Sequence, residues 1–357
     1  MPVDLNTYFA GGFERKKATP QFLTNLCKEV LTNKATVELD SRVVKSLYSV
    51  DLPQCTGGRF HDLSGYESFK YKIPQYNDYT ALTDKWFLER PFGAIPYGER
   101  VADAVEEVAK NQGIFSSYQA NAKSKQVSDG LLNGELTLLN GDKIKFNKKA
   151  THDIAAAKKY SDSSAKIVDE LMKGCQLIVD DGKVADCEFH FISNGSVTNP
   201  ILLNDEVQKL AKRMDGIDRV AIGMPVEKCP GASLSGHLVG DGFTIYIWSF
   251  KGGFTVPTGY KFAGEGTTQR FIPDDRAILL PKNHDLTMFY GGLVTCPNMS
   301  PNMQDVFNSI QIIKAKEYAY CYPKANAGTT TLEHGVKAAP LFVPTNPDGY
   351  VSYSNLM

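Results

Sequence analysis

The chain has 357 residues, with 39 Lys and Arg against 40 Asp and Glu and a formal net charge of -1. That balance excludes a global electrostatic pull toward nucleic acid or an anionic membrane, and the length suffices for one large or two modest domains with a real core. Seven cysteines, at 27, 55, 175, 187, 229, 296 and 321, include no CxxC pair and have no histidine at finger spacing, so they read as buried thiols rather than a disulfide framework or a zinc site.

Met1–Phe13 has neither the basic start nor the apolar stretch of a signal peptide, and no run approaches membrane-spanning length. The sequons Asn194-Gly195-Ser196 and Asn298-Met299-Ser300 are accordingly read as chance matches. From Thr19 to Thr32 a cap-like Thr-Pro start and two helically spaced sets, Phe22, Leu26, Val30 and Leu23, Cys27, Leu31, predict a short amphipathic helix in an N-terminal arm. The pattern changes between Thr36 and Tyr48, where Val37, Leu39, Val43, Val44 and Leu47 predict a strand that Gly57-Gly58 interrupts.

Tyr66 to Leu88 is an aromatic, proline-interrupted extended stretch carrying Tyr66, Phe69, Tyr71, Tyr76, Tyr79, Trp86 and Phe87. Two extended arms of about 15 residues would reach about 50 Å and have no core of their own. Their aromatics need a covering surface, supplied by a neighbouring copy of the chain or by the chain's own domain. Glu99 to Leu132 predicts an unusually long helix, about 50 Å at ~1.5 Å per residue, with Val101, Val105, Val108, Phe115 and Ala122 on one stripe. Two helices split near Gly113–Ser117 are the alternative. Glu135 to Phe146 predicts a hairpin around Asn140-Gly141, and the adjacent Lys143, Lys145, Lys148 and Lys149 read as a solvated face rather than a nucleic-acid patch. Helices follow at Ser163–Met172 and, capped by Asn204, at Leu202–Met214, with strands at Arg219–Gly223 and Gly242–Phe250. The fold class is α+β without internal repeats.

Motifs for chemistry are absent. Gly240-Asp241-Gly242 precedes a strand instead of opening a helix, so a phosphate would meet no helix N-terminus. Gly231 to Gly236, with Ser233 and Ser235, lacks the strand–turn–helix order of a nucleophile elbow and reads as a flexible turn. Asp274-Asp275 and His284-Asp285 are turn formers and surface ion-pair partners by context, and the six histidines are isolated from one another. No catalytic residue, cofactor or metal is expected.

Three blocks carry a resemblance: Gly236 to Ser249, Arg270-Phe271-Ile272-Pro273-Asp274-Asp275 through Pro281, and Ala339-Pro340-Leu341-Phe342 through Ser352. In that order, behind an arm, an extended region, a long helix and a hairpin, the chain over about residues 15–355 resembles the lambda-type major head proteins of tailed bacteriophages. The resemblance implies the Hong Kong 97-type capsid fold. Mapped here, it has an N-terminal arm (1–45), an extended loop (46–90), a peripheral domain (91–175, with spine helix 99–132 and hairpin 135–146), an axial domain (176–320) and a C-terminal return (321–357). It further implies self-assembly into hexamers and pentamers of an icosahedral head around double-stranded DNA held weakly and without sequence specificity. Scaffold, portal and decoration proteins are its expected partners, no membrane is, and the location is the virion capsid, assembled in the bacterial host cytoplasm. Phe22, Tyr66, Phe69, Tyr71 and Tyr76 are the expected intersubunit contacts. The rival readings are an encapsulin-like nanocompartment shell, a tail structural protein, and an α+β enzyme whose site forms only in three dimensions.

Overall fold

In a computed structural model that describes residues 13–19, 21–41, 67–83, 85–86, 100–138, 143–212, 231–258, 265–295, 310–326 and 329–357, the longest element is the 34-residue helix Arg100–Asn133. It runs unbroken through Gly113, where a Cβ would lie 2.7 Å from the Lys16 carbonyl oxygen, so the glycine is what lets the N-terminal segment run hard against the helix. The expected apolar stripe is corrected. Val108 is fully buried, but Val105, Phe115 and Ala122 are only half-buried. The buried mid-helix face instead reads Gln112, Ser116, Gln119, Lys123 and Gln126, alternating steps of four and three, because it meets strand backbone that needs hydrogen-bonding partners.

Those partners are mostly in two three-stranded sheets. One orders β1 (Lys28–Leu31), β14 (Leu286–Tyr290) and β19 (Pro340–Pro344); the other orders β17 (Tyr318–Asn326), β18 (Thr329–Ala338) and β4 (Tyr76–Leu82). Gln112 Nε2 donates to the Tyr320 carbonyl, Gln119 Nε2 to that of Val336, and Gln126 Nε2 to that of Pro340. Further along, Leu131 and Leu132 enter a core with Met288, Leu341 and Phe342, where each fully buried side chain contributes ~1.5–3 kcal/mol.

The expected helix over 19–32 is also corrected: among its described residues only Phe22–Asn25 is helical, and Lys28–Leu31 pairs in parallel with β14. The helical spacing of Phe22 to Leu31 is overridden because the edge of β14 offers unpaired backbone to which four extended residues can bond. The four residues of β1 are all exposed.

The largest sheet has six strands in the order β7 (Asp153–Ala155), β20 (Val351–Ser354), β13 (Ala277–Pro281), β8 (Glu188–Ser193), β10 (Phe243–Phe250) and β9 (Ala232–Gly240). It is mixed: β7–β20 and β8–β10 are parallel, the other pairs antiparallel. All five residues of β13 are buried, as befits a strand covered on both faces. The helix Ile167–Gly182 lays Ile167, Leu171, Cys175 and Ile178 into the second core, starting later and ending later than Ser163–Met172. Asn204 stands between helices Gly195–Leu203 and Asp205–Lys212, and its Oδ1 accepts the Glu206 amide at 2.9 Å, the expected cap at a later start. Ser233 and Ser235 lie in β9 rather than in a flexible turn, and Gly231, just before the strand, has a φ of +88°.

Among the described residues there are also four two-stranded ribbons: β2 (Thr36–Ser41) with β3 (Glu67–Lys72), β5 (Glu135–Thr137) with β6 (Lys143–Lys145), β11 (Gly253–Thr255) with β12 (Thr268–Arg270), and β15 (Leu293–Thr295) with β16 (Gln311–Ile313). The expected 135–146 hairpin is β5–β6. The strand expected at Arg219–Gly223 and residues 42–48 of the first expected strand lie outside the described residues.

Candidate assembly surfaces

The β2–β3 ribbon pairs Thr36 with Lys72 at its base and Ser41 with Glu67 at its far end, and Lys70 meets Glu38 across it at 2.8 Å in the open. Phe69 and Tyr71, two apart and therefore on one face, stack at 6.4 Å between ring centroids. Tyr71 then stands edge-on to Phe146 at 5.9 Å, and Phe146 edge-on to Phe342 at 6.0 Å. This aromatic relay fastens the ribbon's base to the core beneath the long helix.

The five expected contact residues separate accordingly. Phe22 is 5 % exposed and packs on Trp248 and Phe250 within the chain's own core, which leaves it no surface for a neighbour. Tyr71 is half-buried in the relay, and Tyr76 accepts Gln126 Nε2 at 2.8 Å, with burial pushing its phenol above the usual range. Phe69 is half-buried, and Tyr66 lies outside the described residues. The second half of the aromatic region is thus a strand of the chain's own sheet: β4 pairs with β18 from Tyr76 to Leu82.

Exposed apolar surface lies elsewhere. Val294 and Ile312 face each other across the β15–β16 ribbon at 53 % and 61 % exposure, beside Ile310 at 47 %. Val30 and Leu31 on β1 are exposed as well, and the Gly292 amide, next to that ribbon, donates to the Lys34 carbonyl just past β1. Tyr79 on β4 and Tyr118 on the long helix add 61 % and 55 %. The alternation Leu293-Val294-Thr295 and the run Ile310-Gln311-Ile312 are the sequence signals for the ribbon, weak because each is only three residues long.

Residues once considered for chemistry have structural employment. Asp274 accepts Asn194 Nδ2 and Ser196 Oγ and so ties down the start of helix Gly195–Leu203, while the Asp275 carbonyl accepts the Leu356 amide. Asp285 pairs with Lys28 at 3.0 Å. The lysines beside the β5–β6 ribbon are largely neutralised locally: Lys143 on Glu135, Lys149 on Asp181 and Asp348. Cys27, Cys175 and Cys321 are buried, with the Cys321 thiol pushed up to about 12 by burial, whereas Cys187 is exposed against expectation. Among the described residues no group of three His, Cys, Asp or Glu is placed to hold a metal ion, and no helix is long and apolar enough to cross a membrane.

No protein-family model matches the chain, and no curated protein matches it. Solved structures do. The protein assigned as the capsid protein of a prophage of E. coli CFT073 aligns over 98 % of this chain and 97 % of its own, at 13 % identity and a TM-score of 0.63. The mature capsid of bacteriophage PhiM1 aligns over 94 % and 87 % at 11 % identity and TM-score 0.47. The SrpI encapsulin of Synechococcus elongatus PCC 7942 aligns over 95 % and 88 % at 10 % identity and TM-score 0.44. Aligned with the prophage protein over nearly the whole of both chains, this mixed assembly of long helix, ribbons and sheet has the Hong Kong 97-like capsid fold.

Proposed function

We propose that this chain is the structural subunit of an icosahedral shell, a phage-type major capsid protein acting by self-assembly rather than catalysis. The observation that carries the reading is the fold shared, over nearly the whole length of both chains, with the prophage capsid protein. A subunit of this kind forms hexamers and pentamers, and its stability is distributed over several interfaces that each need on the order of 1,000 Å². The apolar ribbon Val294/Ile312 and the exposed edge Val30–Leu31 support it, since exposed apolar clusters are costly on a protein that works alone.

In this reading the segment between β2 and β3 clasps a neighbour, with Tyr66 and Phe69 the contacts retained from the five candidates. The near-neutral charge suits an inner wall that holds double-stranded DNA weakly and without reading its sequence. Scaffold and portal proteins join during assembly in the host cytoplasm, and the product is the virion capsid.

Negative-stain electron microscopy of the purified chain tests the proposal. Closed shells or capsomer rings are expected; a chain that stays monomeric at high concentration refutes it. Replacing residues 46–64 with a short Gly-Ser link should leave a soluble subunit that closes no shells. Normal shells from that variant would sink the clasp while leaving the shell reading in place.

A further inference from the structure

Outside the assembly surfaces, one face of the six-stranded sheet carries a row of rings. Register places His237 on β9, Tyr246 on β10 and His190 on β8 side by side, with ring centroids 6.2 and 5.6 Å apart. Trp248, two residues beyond Tyr246, donates its indole Nε1–H to His190 Nδ1 at 3.0 Å. That bond requires a bare Nδ1, so His190 must be neutral with its proton on Nε2. Against the indole sits Phe22 at 5.5 Å, which also contacts Phe250 at 5.6 Å.

Phe22 opens the helical turn Phe22–Asn25 that wedges between sheet and long helix. On the other side of the wedge, Gln21 Nε2 donates to Asn121 Oδ1, and Thr24 shares a hydrogen bond with Ser124. Beyond the pairing of β1 with β14, the helical turn and its flank thus hold by a polar attachment to the helix and an aromatic one to the sheet. Of these two, only the aromatic attachment rests on an imidazole.

We propose that His190 is a proton-operated latch on the N-terminal segment: neutral, it holds the Trp248 indole as the seat for Phe22, and protonated, it releases that seat. Adding a proton at Nδ1 sets two donors against each other across 3.0 Å; flipping the ring instead presents a C–H to the indole. Either way the half-buried Trp248 N–H loses its acceptor, and the seat loses its anchor.

The groups around His190 decide where the latch opens. Burial acts first to hold it below the ordinary imidazole value, and positive charge on His284 and Lys282 acts in the same direction. Glu188 and Asp186 oppose them, but Glu188 is already paired with Lys282 at 2.7 Å. His284 is itself lowered by burial, with Asp285 opposing and Lys28 assisting. Tyr246 and His237 complete the facing rings. Because the folded-state value is depressed, the seat's contribution is present above the unfolded imidazole value and is lost as pH falls through the folded one.

The chain has two tryptophans, Trp86 and Trp248, so Trp86→Phe leaves the indole of the latch as sole reporter. Titrating the unassembled W86F chain from about pH 8 to about pH 5 should change Trp248 emission in one step centred below the ordinary imidazole value. In parallel, amide exchange in Phe22–Cys27 of the otherwise unaltered chain, corrected for its intrinsic pH dependence, should rise about tenfold or more across the same step. His190→Asn keeps an acceptor where Nδ1 stood and cannot titrate; both changes should vanish in it. An equal emission step in W86F/H190N overturns the proposal. So does unchanged exchange of Phe22–Cys27 in the unaltered chain, a measurement that needs no variant to fold. Neither readout requires shells, so the latch stands or falls apart from the shell reading.

Discussion

Gln126 reads the main chain of β19 on both sides of Leu341: its Nε2 donates to the Pro340 carbonyl at 3.1 Å, and its Oε1 accepts the Phe342 amide at 2.9 Å. One side chain thereby supplies to the strand the pair of hydrogen bonds that a neighbouring strand would otherwise provide, and it adds a third to Tyr76 on β4. The long helix takes the place of a further strand at this point, which explains why its buried face is polar.

Gln126→Met keeps the length and apolar bulk of the side chain but removes all three bonds. With two buried backbone groups left unpaired at ~1–3 kcal/mol each, urea unfolding of the chain should show a loss of about 2–6 kcal/mol.

Lys123 and Glu317 form a nearly dry ion pair at 2.5 Å, with side chains 9 % and 3 % exposed, and Ser116 donates to the other carboxylate oxygen at 2.8 Å. Lys123→Met strands the carboxylate and should cost about 3–5 kcal/mol. The double variant K123M/E317L removes both charges and should recover most of that loss; a double variant no more stable than K123M would show that the pair itself, not the abandoned charge, is what matters.

Gly130 lies in the long helix where a Cβ would come within 2.5 Å of the Phe342 ring. Gly to Ala in a helix ordinarily gains ~1 kcal/mol, but overpacking a full core costs ~1–3 kcal/mol. The second effect should win for Gly130→Ala. In a Phe342→Leu background the order should reverse, with G130A/F342L more stable than F342L by calorimetry.

Lys148 donates to Ser352 and lies over the Tyr350 ring, and burial lowers its ammonium from 10.5 to about 8, with Arg276 assisting and Asp153 opposing. Burying the charged form disfavours the folded state below that value. As pH rises from about 8 to 10.5 the folded chain sheds this proton before the unfolded chain does, so stability is gained. Compared with K148M across this window, the unsubstituted chain should become relatively more stable; a flat difference would contradict the shift.

The long helix, the β5–β6 hairpin and β10 were legible because their periodicity or turn chemistry is local. The helix predicted over Thr19–Thr32 was not: Val30 and Leu31 fit the helical spacing set by Phe22 and Leu23, yet the open edge of β14 draws them into a strand. The polar seam was hidden for a related reason. Gln112, Gln119 and Gln126 have the composition of a wet face, and only the strands opposite reveal that they are donors to carbonyls. Among the contact candidates, aromatic character drew attention to Phe22, Tyr71 and Tyr76, but aromatics serve cores as readily as interfaces: Phe22 and Tyr71 pack on core rings, and Tyr76 accepts a hydrogen bond from the long helix.

The last strands of the chain go to different places: β19 is an outer strand of the sheet with β1 and β14, and β20 is inserted between β7 and β13. Both cores therefore wait on residues 340–354, although most of their other members precede them by far in the chain. During synthesis the long helix can form early, but its Gln126 has no β19 to read, and β7 has no partner, until those residues leave the ribosome. Translation itself thus acts as a timer, delaying the finished fold until these closing strands have emerged.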